Sequence, residues 1–338
     1  MNTSGTRVFI FPFSNMNLLT AFVILLLTSA CATVKVPMQV THPAEVNMSA
    51  YKRIAIGEVN GNAGAQVLAE IKDALYREKY FEVADRTKMD AVLAELKLNY
   101  SDLAATDNQI KLGKLLPASA LVGGTASSSY QESVSSSTGT CRDSEGKEHK
   151  CTHYTRTGTV SLRGGLDVID IQSGRIIGTK PLNCAETDYT YQDDGTPPAI
   201  SEASLLNQCV ARGVTAFARM VQPWHEEVEA RFKKDSDIPD LEKGINQIKI
   251  GENEAAIRII RDAISASEMN PKIKPKVLSL AYWNLGLIYE YTWEFDKAET
   301  NFKKAFALYA DDDYADEIKR VKGLRAERER LKEQGVVK

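Results

Sequence analysis

The apolar residues of this chain repeat with two different periods, and the period changes along its length. RIAIGEV, Arg53 to Val59, is a continuous apolar run of strand length and predicts a buried strand. The next stretch places Val67, Leu68, Ile71, Ala74 and Leu75 on one helical face. FEVADR alternates Phe81 and Val83 as a second strand, and Thr87 caps a helix carrying Met89, Val92, Leu93 and Leu96. Asp107 to Leu116 predicts a third short helix that stops before Pro117. ALVGGTASSSY, Ala120 to Tyr130, reads as a strand leaving it, so helices and strands alternate as in an α/β layer.

From Thr157 a clean strand sets Val160, Leu162, Leu166 and Val168 on one face, and DIQSGRIIG folds back as a hairpin around Ser173 and Gly174. Glu202 to Val221 is a long helix with Ala203, Leu206, Val210, Val214, Phe217 and Val221 at intervals of three and four, a stripe suited to covering a sheet. Pro223 and DSDIPD, Asp235 to Asp240, predict a domain boundary. Beyond it the period is helical. A paired pattern of large and small residues runs through Tyr282, Leu285, Gly286, Tyr289, Ala298, Phe302 and Ala305, and a weaker earlier copy carries Gly244, Ala256, Ile260 and Ala263. Tyr314 to Leu331 predicts a capping helix, whose RAERERLKE tail, charged all round, is expected in solvent.

The most apolar run, Leu18 to Leu27, is too short for a span of ~20 residues but suits an export signal. It ends LLLTSAC, with small Ser29 and Ala30 before Cys31. That arrangement resembles the lipobox of bacterial lipoproteins, where the thiol is acylated, although Thr28 stands where leucine is usual. Ala32, rather than aspartate, resembles the signal for outer-membrane sorting. Residues 1–30 are therefore read as a lipoprotein signal peptide, Cys31 as the lipidation site, and 31–50, with two prolines and no helical period, as an extended tether. The body is expected at the outer membrane, lipid-anchored on the periplasmic side.

Removing residues 1–30 takes away only Arg7 and leaves 41 Lys plus Arg against 45 Asp plus Glu. A slightly acidic balance argues against a nucleic-acid partner, whose footprint is a basic face. Four further cysteines, Cys141, Cys151, Cys184 and Cys209, are an even count in an exported chain and point to disulfides with three possible pairings. Cys141 with Cys151 is the closest pair in sequence, which leaves Cys184 with Cys209, and this connectivity is favoured. His149, Cys151 and His153 would share one strand face, and Cys141 could complete a zinc set, but the spacing matches no common zinc finger and an oxidising compartment favours the disulfide.

Catalytic patterns are scarce. GEVNGNAG, Gly57 to Gly64, lacks the Gly-Lys-Ser/Thr ending of a phosphate loop and reads as a connection. His42 and His225 stand near no nucleophile motif, and Glu226, Glu227 and Asp311 to Asp313 read as solvated helix ends. No enzyme activity, cofactor or metal is expected.

FEVADRTKMDAVLAELKL, then KLGKLLPASALVGG, then LDVIDIQSGRIIG resemble in order and spacing the CsgG-like domain, the family of the curli secretion lipoprotein, over about Tyr51 to Phe232. The strand exit at Phe81, Val83, Asp85 and Arg86, the helix from Lys111 to Leu115 and the hairpin from Asp170 to Gly174 carry that likeness. The helical pattern matches the tetratricopeptide repeat; Ala256 and Ala298 lie 42 residues apart, and MNPKIKPK accounts for the length beyond the usual ~34. The fold class is thus α/β, a CsgG-like sheet-and-helix domain at 51–234 followed by an all-α tetratricopeptide-like helical domain at 235–338.

The resulting reading is a non-catalytic binding and assembly factor for envelope or secretion machinery, held to the membrane by its N-terminal lipid. Protein partners are expected on the helical repeats, with Tyr282, Trp283, Tyr289 and Trp293 as candidate contacts and inter-helix core as their alternative role. The resemblance also implies a competing reading, an oligomeric curli-type secretion channel subunit. Against it, SSSYQESVSSSTGT with THYTRTGT, and PLNCAETDYTYQDDGTPPAI as a second hairpin, are too polar to face lipid.

Overall fold

The structure is a computed structural model that describes residues 32–84 and 119–337. Cys31, and the helices expected from Thr87 and over Asp107 to Leu116, lie outside the described residues. Two compact units share the chain: a sheet unit, Thr41–Glu226 with Ala326–Lys338, and a helical unit, Met1–Val40 with Glu227–Arg325.

Among the described residues the sheet unit holds five strands in the order β3-β2-β4-β5-β6. They are β2 (Arg53–Asn60), β3 (Glu82–Ala84), β4 (Ser119–Arg142), β5 (Glu148–Asp170) and β6 (Ile176–Asp193). β2 runs parallel to β3 and β4, while β4, β5 and β6 are antiparallel. Among the described residues α1 (Gly64–Glu78) and α2 (Glu202–Val221) cover the sheet. The core follows the sequence periods: Ile54 and Ile56 from β2, Val67, Ile71 and Leu75 from α1, Leu162, Leu166 and Val168 from β5, and Val210, Val214 and Phe217 from α2 are buried together. Ser201 caps α2, its side chain accepting the Ser204 N–H at 3.2 Å.

The strands after β3 run far longer than their apolar runs. β4 and β5 pair without interruption from Ala120 opposite Asp170 to Arg142 opposite Glu148, a ribbon of up to roughly 75 Å at ~3.3 Å per residue. The segment expected as a second hairpin, from Pro181 onward, is instead one strand, β6, paired with β5 as far as His153 opposite Asp193. Polar residues allow this because cross-strand backbone bonds and Ser/Thr pairs hold a solvated ribbon without an apolar face.

The expected tether is also strand. Residues 32–42 form β1 (Ala32–His42), paired with β7 (Trp224–Lys234) in a separate two-stranded sheet. In the helical unit its Val36 is buried with Ala230 and Phe232 of β7, so apolar side chains at alternate positions give the segment a face to bury. Helices α3 (Asp240–Lys249), α4 (Asn253–Glu268), α5 (Pro275–Tyr291), α6 (Phe295–Leu308) and α7 (Asp312–Glu333) follow. α3 with α4, and α5 with α6, are the two helix pairs anticipated by the repeat pattern. Gly286 lets α5 and α6 approach closely: a Cβ there would stand 2.5 Å from the Phe302 ring.

The charged tail of α7 is not wholly solvated. From Ala326 it belongs to the sheet unit, where Leu331 and Gln334 are buried and Gln334 bonds both backbone groups of Ala44, accepting from N at 2.9 Å and donating to O at 3.0 Å.

Candidate functional site

The helical unit contains a cleft of about 560 Å³ between α4, α5 and α6, within the size range of small-molecule and peptide pockets. Its floor is aromatic because the repeat pattern sets Tyr282 and Tyr289 two turns apart on α5. Lysines of α6 stand over both rings, Lys304 Nζ at 5.0 Å from the Tyr282 centroid and Lys297 Nζ at 5.2 Å from that of Tyr289, distances at which a cation is attracted to the ring face. Arg261 of α4 adds positive charge to the rim; Glu268 and Asp296 add negative charge. The Tyr282 hydroxyl donates to Glu268 Oε1. Burial, then this hydrogen bond and the carboxylate charge, push the Tyr282 phenol up to about 12, so it is a donor at physiological pH.

The aromatic residues singled out in the sequence divide between cleft and core. Tyr282 and Tyr289 line the cleft, although each is largely buried. Trp283 faces the opposite way and is 4% exposed: its ring lies 5.3 Å from Phe302 and 5.0 Å from Tyr314, and its Nε1 donates to the Arg231 carbonyl at 2.9 Å. It is a core residue that fastens β7 to the helices, the inter-helix role named as the alternative for these aromatics. Trp293, half-buried, follows α5 with φ +67° and packs on Phe295 at 6.0 Å. Lys304, Lys297, Arg261 and Thr300, which give the cleft its polarity, were absent from the candidate contacts. The spacing of three and four among Lys297, Thr300 and Lys304 on α6 was the available signal.

In the sheet unit the distal ribbon offers two polar faces. One carries Ser133 and Ser135 of β4, Thr155 and Thr157 of β5, and Tyr189 and Tyr191 of β6, whose rings are 54% and 68% exposed. The other carries the Glu132–Arg156 ion pair beside Val134. Both disulfides have the favoured connectivity, Cys141 with Cys151 near the ribbon tip and Cys184 with Cys209 joining β6 to α2. His42 stacks on Trp224 at 4.3 Å and contacts Glu327 and Glu226 at 2.9 and 3.3 Å. No nucleophile joins it there among the described residues, and His225 bonds Thr41 at 3.0 Å.

Residues 28–189 match the family model described as curli production assembly/transport component CsgG. Among solved structures the chain is similar to lipoprotein GNA1162 from Neisseria meningitidis, at 15% identity and a TM-score of 0.25, covering 49% of this chain and 97% of that one. None of the curated proteins matches. The helical unit is consistent with repeats, and residues 28–189, just under half of the chain, are similar to the CsgG family.

Proposed function

We propose that the protein is an envelope lipoprotein, anchored through Cys31 at the periplasmic side of the outer membrane, that serves as a non-catalytic assembly factor and holds an extended protein segment in its helical cleft. The similarity of residues 28–189 to the CsgG family relates it to the components of curli production, assembly and transport. The observation that carries the reading is the cleft of α4, α5 and α6. Two tyrosines form an apolar floor, and lysines, an arginine and acids around it offer hydrogen bonds to a peptide backbone and to charged side chains. Helical repeats present such concave surfaces to extended partners.

The test is a photo-crosslinking residue placed at Thr300, inside the cleft, and at Arg258, exposed on α4 and outside it, in the full chain with Cys31 intact. A discrete protein adduct from Thr300, lost when Lys304→Glu and Lys297→Glu are added and absent from Arg258, is expected. Equal adducts from both positions, or none from Thr300, would sink the reading. In the same cells Cys31→Ser is expected to move the protein from the membrane fraction to the soluble periplasm.

The long β4–β5–β6 ribbon favours a second reading, a channel subunit contributing strands to a shared barrel. A lipid-facing strand needs apolar residues at alternate positions. The ribbon offers Val134 beside Glu132 and Arg156 on one face and hydroxyls on the other, which supports the assembly-factor reading. Single-channel conductance of purified protein in planar bilayers would decide for the channel.

A further inference from the structure

Near the tip of the ribbon, four side chains have been brought to one point of one face. Gly139 pairs with Cys151, and Ser137 with His153, while His153 pairs on its other side with Asp193. The His153 Nδ1 bonds Asp193 Oδ1 at 2.5 Å, and its Nε2 lies 3.7 Å from Cys151 Sγ. The sulfurs of Cys141 and Cys151 and a ring nitrogen of His153 all fall within 4.8 Å of one another. The imidazole reaches the sulfurs only because position 139 has no side chain: a Cβ there would stand 2.2 Å from His153 Nε2.

We propose that this cluster is a redox-gated site for a zinc-class cation, closed while Cys141 and Cys151 are joined and opened by a dithiol reductant. In a tetrahedral zinc site, with Zn–S of ~2.3 Å and Zn–N of ~2.0 Å, donor atoms stand about 3.5–3.8 Å apart. The Cys151–His153 separation already meets that spacing, so only the two sulfurs need part. The carboxylate on Nδ1 fixes the tautomer that presents Nε2 as a lone-pair donor, the arrangement that orients ligating histidines. Register sets His149 opposite Cys141 on the same face, so the fourth position falls to this histidine or to water.

The steps balance. One thiolate of the reductant attacks a sulfur of the Cys141–Cys151 bond, and a mixed disulfide forms as the other cysteine leaves as thiolate. The second thiol of the reductant then displaces the first cysteine. The reductant departs as a cyclic disulfide, and its two protons are left on Cys141 and Cys151. A divalent cation binding both sulfurs releases those two protons, and two thiolate charges neutralise the ion. A disulfide oxidant that takes up the two electrons, and is itself reduced to two thiols, re-forms the Cys141–Cys151 bond and expels the ion.

The full chain is reduced with a trialkylphosphine, freed of reductant without oxygen, and titrated with Co²⁺ as the spectroscopic probe, then with Zn²⁺ in competition. The expected result is one Co²⁺ per reduced chain with a thiolate-to-metal charge-transfer band, displaced by Zn²⁺, and no uptake by the oxidised chain. Asp193→Asn should weaken binding about 10- to 100-fold, and His153→Ala at least as much. Gly139→Ala should act in the same direction by pushing the imidazole aside. No band on reduction, a band undiminished in His153→Ala, or a band persisting in the Cys141→Ser/Cys151→Ser double variant, which retains Cys184 and Cys209, would each overturn the proposal.

Discussion

Asn284 holds Lys233 by both of its backbone groups: its side-chain oxygen accepts the Lys233 N–H at 2.8 Å and its nitrogen donates to the Lys233 carbonyl at 2.6 Å. A buried amide on α5 thus acts as one more strand partner for β7, and Trp283 beside it does the same for Arg231. Asn284→Ala strands a donor and an acceptor in the interior, at a cost of about 2–3 kcal/mol. Urea unfolding of the full chain should show that loss in the transition of the helical unit; an unchanged midpoint would refute the role.

Close approach at Gly286 gives a second prediction. Gly286→Ala places a methyl group against the Phe302 ring, and overpacking of this kind costs about 1–3 kcal/mol. Adding Phe302→Leu should return part of the stability, and a double-mutant cycle by thermal unfolding measures that coupling. Strictly additive losses would show that the two positions do not meet.

A third prediction concerns pH. Glu290, 3% exposed, pairs with Arg320 of α7. Burial, with Glu317 adding to it and Arg320 opposing it, pushes the Glu290 carboxyl up to about 9. The unfolded chain ionises this group near the ordinary glutamate value, so between there and about pH 9 the folded state holds a proton that the unfolded state has lost. Stability therefore falls as pH rises across that window, by at most about 1.4 kcal/mol per pH unit from this group. Glu290→Gln should flatten the decline relative to the parent, as read from denaturant midpoints at pH 5, 7 and 9. Parallel profiles for the two chains would contradict the assignment.

The Cys184–Cys209 bond ties the edge strand β6 to α2 across a sequence separation of 25 residues. Cys184→Ala/Cys209→Ala should cost about 2–4 kcal/mol by freeing the unfolded chain. The melting temperature of the sheet unit should drop, and an unchanged value would show that this bond does not stabilise the unit.

Much of the fold was legible because burial imposes a period on the sequence. The extent of α2 coincides with its predicted range, Glu202 to Val221, and Val210, Val214 and Phe217 are buried as the stripe required. The stripe is offset by a residue near the start of the helix, where Leu205 is buried and Ala203 is exposed. β7 was missed because Pro223 and the charged HEEVEARFKK obscure an alternation of Val228, Ala230 and Phe232. The cleft was only half legible: repeat-pattern residues marked its tyrosine floor, while its lysines looked like any solvated helix face.

By itself the sequence determined the core helices of the described residues and the central strands of the sheet, though not β1 or β7, and which cysteines could pair, since these follow from local period, spacing and compartment. Tertiary structure alone decided that Trp283 turns inward while Tyr282 beside it opens onto a cleft, because adjacent residues on a helix point about 100° apart and only the neighbouring helices fix which direction is solvent. It decided too that a polar run becomes a long ribbon and that Gly139, Cys151, His153 and Asp193 meet on it. Cross-strand register, set by pairing partners distant in sequence, leaves no period of its own in the chain.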